Sequence, residues 1–275
     1  MQLTPELLIN KSLKLASPPA IYQKLDALIS DPESSNEDIG ALIKSDPSLT
    51  ARLLKIVNTP YYGYAAKIDD ITRAVTLIGT RELKMLVLAT CVTEAFDGIP
   101  ASMVDLNGFW RHSMACALAA GIIAQHTNHT NPQQAFSAGL LHDIGFLVLC
   151  QAVPDLTLRA VEATPEKPLH EAEVEVIGFD HAAVGAALIR NWGLPAALAE
   201  IIEHHHKPFE SKEQQLMNAL VAAADAIALN VADGQPEQAA LILDDALLQT
   251  VNLSPDLISP IIEKVADSLS AMNTH

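Results

Sequence analysis

Gly139-Leu140-Leu141-His142-Asp143-Ile144-Gly145 sets a histidine and an aspartate side by side inside an otherwise apolar run from Pro132 to Cys150. Burying such groups without partners costs on the order of several kcal/mol. A helix that carries them inward needs compensation, and a metal ion supplies it directly. Working outward, the same residue types recur at His112, at His181, at His205-His206 and at Asp225. Each alone has an ordinary reading as an exposed or hydrogen-bonded side chain. Together, imidazole nitrogen and carboxylate oxygen are the donor set expected for iron, manganese, zinc, nickel or a related divalent cation where thiolates are absent.

The rest of the chain reads as helix. Strict apolar/polar alternation is missing and helix punctuation recurs, so the expected class is all-α. Ser17-Pro18-Pro19 opens a helix through Ile21, Leu25, Leu28 and Ile29, and Asp31-Pro32 ends it. Ser35 with Asp38 resembles a capping box, and Asp46-Pro47 starts the next helix, which Asn58-Thr59-Pro60 closes. Gly79 stops the segment Ile71 to Ile78, and Thr80 caps an apolar helix through Leu83, Leu86, Val87 and Cys91. Five or six short helices thus fill the first hundred residues.

Turn formers between Phe96 and Asn107 (Gly98, Pro100, Ser102) mark a boundary. The expected organisation is an N-terminal bundle of short helices, residues 1–105, packed on a helical domain, residues 106–275. Helices are expected from Gly108 to Gln125, from Pro132 to Cys150, after His181, from Pro195 to His206, from Leu216 to Asn230, and after Gln235 and Ser254.

Composition narrows the function. Apolar residues make up 49% and aromatics only 4%, so Ala, Leu, Ile and Val must fill the core. A formal charge of −16 opposes attraction to nucleic acid and to anionic membranes. Cys91, Cys116 and Cys150 lie in apolar stretches without Cys-x-x-Cys spacing, which argues for reduced core thiols. The N-terminus has no secretory pattern, and no uninterrupted apolar stretch approaches bilayer-spanning length, so a cytoplasmic location is expected.

Leu140-Leu141-His142-Asp143-Ile144-Gly145 resembles the central motif of the HD superfamily of metal-dependent phosphohydrolases. Asp180-His181 with Gly185, Trp192-Gly193-Leu194-Pro195, His205-His206-Lys207-Pro208 and Ala224-Asp225 follow in the order of HD-type domains. Asp46-Pro47-Ser48-Leu49-Thr50, Ile56 to Gly63 and Ala74 to Gly79 resemble the helical region that distinguishes the HDOD family. The resemblance runs from about Leu13 to Leu229, and several motifs in one order make it specific.

What the resemblance implies is a mono- or binuclear site with His112, His142, Asp143, His181, His205, His206 and Asp225 as ligands and Asp143 as the bridge. The departures count as well. Phe146 stands where catalytic relatives often carry lysine, which removes a phosphate-binding cation. Gly108 stands where some HD-GYP enzymes place a glutamate for a third metal, and the Gly-Tyr-Pro loop is missing. Arg111 and Lys207, the basic residues nearest the proposed ligands in sequence, are the candidates to contact phosphate instead. His126, His129, His170, His204 and His275 receive no role.

Two readings stand nearly level. One is a metal-dependent phosphohydrolase acting on a small phosphate-containing molecule. The other is a non-catalytic signalling module with a structural or vestigial metal site, in which the metal or its histidine cage stabilises the bundle and the N-terminal half binds a protein partner. DNA binding through Lys44, Arg52, Lys55 and Arg73 is a poor third, given the charge.

Overall fold

The computed structural model describes residues 3–11, 17–96, 99–127, 131–211, 213–232 and 243–273. Every regular element among the described residues is helical. By its contacts the chain forms two units: Pro18–Ala95 with Glu263–His275, and Met1–Ser17 with Phe96–Ile262. This grouping differs from a simple halving at 105/106. The first helix, α1 (Pro5–Lys11), joins the larger unit, because Leu8 and Ile9 bury themselves against helices near the centre of that unit. Gly98 and Gln235 of the sequence reading lie outside the described residues.

The smaller unit holds α2 (Ala20–Ser30), α3 (Asn36–Lys44), α4 (Pro47–Val57), α5 (Ile71–Ile78) and α6 (Thr80–Ala95). Local chemistry sets their ends. Ser35 Oγ accepts from Asp38 N–H at 3.2 Å while Asp38 Oδ2 accepts from Ser35 N–H at 2.9 Å, a reciprocal cap. Asp46 Oδ1 accepts from Leu49 N–H at 2.9 Å ahead of Pro47. After α4, the Asn58 amide donates to Ile68 O and accepts from Ile68 N–H, both at 2.7 Å, which pins the following loop. Gly79, at φ +84°, makes the turn into α6 that a side chain would resist. Leu25, Ile43, Leu53, Val57, Ile71, Leu83 and Val87 fill the interior.

The larger unit is built around α7 (Leu106–Thr127), whose Ala115 to Ala124 are buried on every side. A helix apolar all round belongs in the middle of a bundle. It packs on α8 (Pro132–Leu141) and α14 (Gln215–Ala232). Around them lie α9 (Ile144–Ala152), α10 (Pro154–Glu162), α11 (Leu169–Ile177), α12 (His181–Asn191), α13 (Ala196–His204) and α15 (Asp245–Val251). The C-terminal helix α16 (Ile258–Asn273) begins in this unit.

The sequence suggested one helix from Pro132 to Cys150; the structure breaks it into α8 and α9 at His142-Asp143. By length and composition Pro132–Ala152 is apolar enough to cross a membrane, yet most of it is buried within the protein. It is a core pair with a polar joint. α10 and α11 were not expected from the sequence.

Two glycines flanking the joint set its position. A Cβ on Gly139 would lie 2.8 Å from Cys116 O, so α8 rests directly on the backbone of α7. A Cβ on Gly145 would lie 2.0 Å from His181 O and 2.4 Å from Gly185 N, so α9 rests on the first turn of α12. Close backbone approach of this kind requires glycine.

Candidate metal centre

Five segments of the larger unit each bring part of one cluster. His112 comes from the second turn of α7, His142 and Asp143 from the α8–α9 joint, His181 from the start of α12, His205 and His206 from the end of α13, and Asp225 from the middle of α14. The contact at Gly139 draws His142 toward His112, and the contact at Gly145 draws Asp143 toward His181. All seven residues named as ligands from the sequence converge.

They fall into two groups, Asp143 with His181, His205 and His206, and His112 with His142 and Asp225, with the ligand atoms of each group within 4.8 Å of one another. Asp143 faces both. Its Oδ1 lies 3.2 Å from His181 Nε2 and 3.5 Å from His205 Nε2, while its Oδ2 lies 3.2 Å from His142 Nε2 and 3.6 Å from His112 Nε2. Asp225 Oδ1 sits 3.1 Å from His112 Nε2 and 3.5 Å from His142 Nε2.

The tautomers follow from the outer contacts. Nδ1 of His142 meets Gly139 O at 2.7 Å, Nδ1 of His205 meets Ile202 O at 2.7 Å, and Nδ1 of His181 meets Glu173 Oε2 at 2.6 Å. Each Nδ1–H donates to an acceptor, so each Nε2 is the end offered to the cluster. There the fit to a cation can be tested. Nε2 of His205 is buried with no hydrogen-bond partner. His181 and His206 point Nε2 at Nε2 across 2.8 Å, as do His112 and His142 across 3.3 Å, and each such pair can share only one proton. Acceptors facing acceptors and carboxylates in a buried site fit a divalent ion.

Protons fill that role where ions do not. Burial opposes charge on His142, but Asp143 and Asp225 outweigh it and hold its pKa well above the usual range. His181 is likewise raised to about 10, against burial, by hydrogen bonds to Asp143 and Glu173. Burial works to raise Asp143 and Asp225, yet the imidazoles around them hold both well below ordinary carboxylates. Burial, then the neighbouring imidazoles His205 and His181, keeps His206 neutral far below the usual histidine range.

Glu173 is the functional residue that the sequence reading missed. Its side chain is fully buried, and Oε2 accepts from both the backbone N–H (2.8 Å) and the Nδ1–H (2.6 Å) of His181. A signal was there. Leu169, Ala172 and Val176 form the inward stripe of α11, and Glu173 occupies the one remaining position of that stripe. His170, given no role from sequence, stacks on His206 with centroids 4.2 Å apart. His204 is half-buried at the end of α13, and His129 and His275 lie outside the described residues.

A pocket of about 300 Å³ opens beside the cluster, with His112, Asp143 and His181 in its wall. Arg111 lines it, as do Gly108 and Phe146. Lys207, the other candidate phosphate contact, is exposed and is not part of that lining.

A helical bundle that gathers five histidines and a second aspartate around one central carboxylate defines an HD-type domain. More narrowly, the chain belongs to the HDOD domain family, whose model matches residues 15–208. It is similar to an uncharacterized protein of Treponema pallidum, 27% identical over 221 residues, or 79% of this chain. The chain spans 42% of that relative's length. A shorter stretch is 33% identical to ribonuclease Y of Pelobacter propionicus, covering 44% of this chain and 18% of that enzyme. Among solved structures, a candidate phosphohydrolase from Shewanella amazonensis shares the fold, with a TM-score of 0.74, 24% identity and 96% of each chain covered.

Proposed function

We propose that the protein is an HDOD signalling-type protein that retains an HD-type site for one or two divalent ions and hydrolyses a small phosphate ester. The observation that carries this reading is Asp143, with one carboxylate oxygen toward each histidine group. Divalent ions bound there supply Lewis-acid chemistry for phosphate ester hydrolysis. His142, His181 and His205 then act as ligands pre-oriented through Nδ1, Glu173 fixes the His181 ring, and Arg111 offers a charge for a phosphate oxygen.

Ribonuclease Y, by its name, acts on RNA. A net charge of −16 and a small pocket argue against a polymeric anion here. Cys91, Cys116 and Cys150 are buried and outside any disulfide, which suits the reducing cytoplasm.

A second reading keeps the ions but not the turnover. Phe146 lining the pocket and Lys207 outside it leave Arg111 as the one Lys or Arg in the described lining, as a structural site in a signalling module would allow. In that reading the N-terminal subdomain contacts a protein partner. Elemental analysis of the purified chain, followed by hydrolysis tests on nucleotides, cyclic dinucleotides and simple phosphate esters, separates the two. Stoichiometric metal with turnover that disappears in Asp143→Ala supports the enzyme; metal without turnover supports the module. A chain that retains no metal at all ends both.

A further inference from the structure

The walls of the pocket are set by the ligands themselves. Phe109 precedes His112 by three residues on α7, Phe146 follows Asp143 by three on α9, and Leu229 follows Asp225 by four on α14. Residues three or four apart share a helix face. Three of the five ligand-bearing segments therefore present an apolar side chain beside the ligand, and Val104 and Leu169 complete the wall. Leu229 is 52% exposed, an unusual position for a large apolar side chain next to a charged cluster.

Among the described lining residues Arg111 is the one Lys or Arg. A second phosphate placed against Phe109, Phe146 and Leu229 would lose its hydration without gaining a partner, which costs several kcal/mol. A planar apolar group placed there loses nothing polar and covers Leu229. Pockets near 300 Å³ suit a ligand of a few tens of atoms at most.

We infer that the site selects a compact phosphomonoester with a single phosphate and one aromatic group, the phosphate held at the histidine–aspartate cluster and Arg111, the ring against Phe109, Phe146 and Leu229. This deepens the phosphohydrolase reading and rests on it. It makes Phe146, where catalytic relatives often carry lysine, a residue that sets specificity.

The test is binding by calorimetry to the manganese-loaded full chain, using phosphonates that do not turn over. Phenylphosphonate should bind at least about tenfold more tightly than methylphosphonate or inorganic phosphate, as burial of a ring predicts. Leu229→Ser, at an exposed position that the fold does not need, should weaken phenylphosphonate about fivefold and leave methylphosphonate unchanged. Phe146→Lys should invert the preference. Equal affinities for the two phosphonates, or tighter binding of a cyclic dinucleotide, overturn this inference while leaving the metal site standing. Binding of neither phosphonate to a chain that holds no manganese overturns the metal-site reading as well.

Discussion

The two units of this chain treat buried polar groups in opposite ways. In the smaller unit three such groups find partners nearby: Thr59 Oγ1 donates to Ile56 O, Thr90 Oγ1 donates to Leu86 O, and Tyr62 OH donates to Glu82 Oε1 at 2.6 Å. In the larger unit imidazole nitrogens face one another and face carboxylates, and His205 Nε2 has no hydrogen-bond partner. In the first unit these groups are satisfied by the folded chain alone. The second is complete only with added positive charge, whether protons or ions, and that incompleteness marks the functional centre.

The largest effect that can break this contrast is metal removal. Without ions, the stabilisation from Asp143 and Asp225, whose pKa values are depressed, is present above about pH 4 and fades as pH falls. That from His181 is complete below pH 6.5 and is lost as pH climbs toward its raised pKa of about 10, and His142, also held well above its usual value, works in the same direction. His206, held neutral, works the other way: below pH 6.5 the unfolded chain gains a proton that the folded one does not. The chelated protein should therefore lose stability from pH 6.5 upward. Free metal at 100 to 1,000 times its Kd should restore about 3–4 kcal/mol. Amide exchange should show the loss in residues 99–232 and leave residues 18–95 protected; equal loss in both ends the comparison.

A smaller effect sharpens it from within. Glu173→Gln keeps the shape of the buried acceptor beside His181 but removes its carboxylate. Metal affinity, measured by competition with a chromophoric chelator, should drop about 10- to 100-fold with helix content unchanged. Unaltered affinity would reduce Glu173 to packing. The smallest effect belongs to the other unit: Asp46→Ala removes the cap on Leu49 and should cost about 1 kcal/mol in urea unfolding, with metal content untouched.

Much of this was legible in the sequence because polar residues inside apolar helices stand out. His142, Asp143, His181 and Asp225 are of that kind, and the cap signals at Ser35, Asp46 and Gly79 gave the ends of the short helices. The break at His142-Asp143 was hidden because α8 and α9 are apolar on all sides, so periodicity carries no phase to interrupt. Glu173 was hidden by its company. Glu171 and Glu175 on the same helix are exposed, Glu175 pairing with Lys167, and a run of three acids reads as a solvated face. Only tertiary packing turns the middle one inward.

Gly145 carries a lesson about how such sites are switched off. A single methyl group there would collide with the backbone of α12 and push Asp143 away from His181, although every metal-binding side chain would still be spelled out in the sequence. A descendant of this protein could thus fall silent with its motif intact. When kin are sorted into competent and vestigial, the small residues flanking the cage deserve to be read as closely as the cage itself.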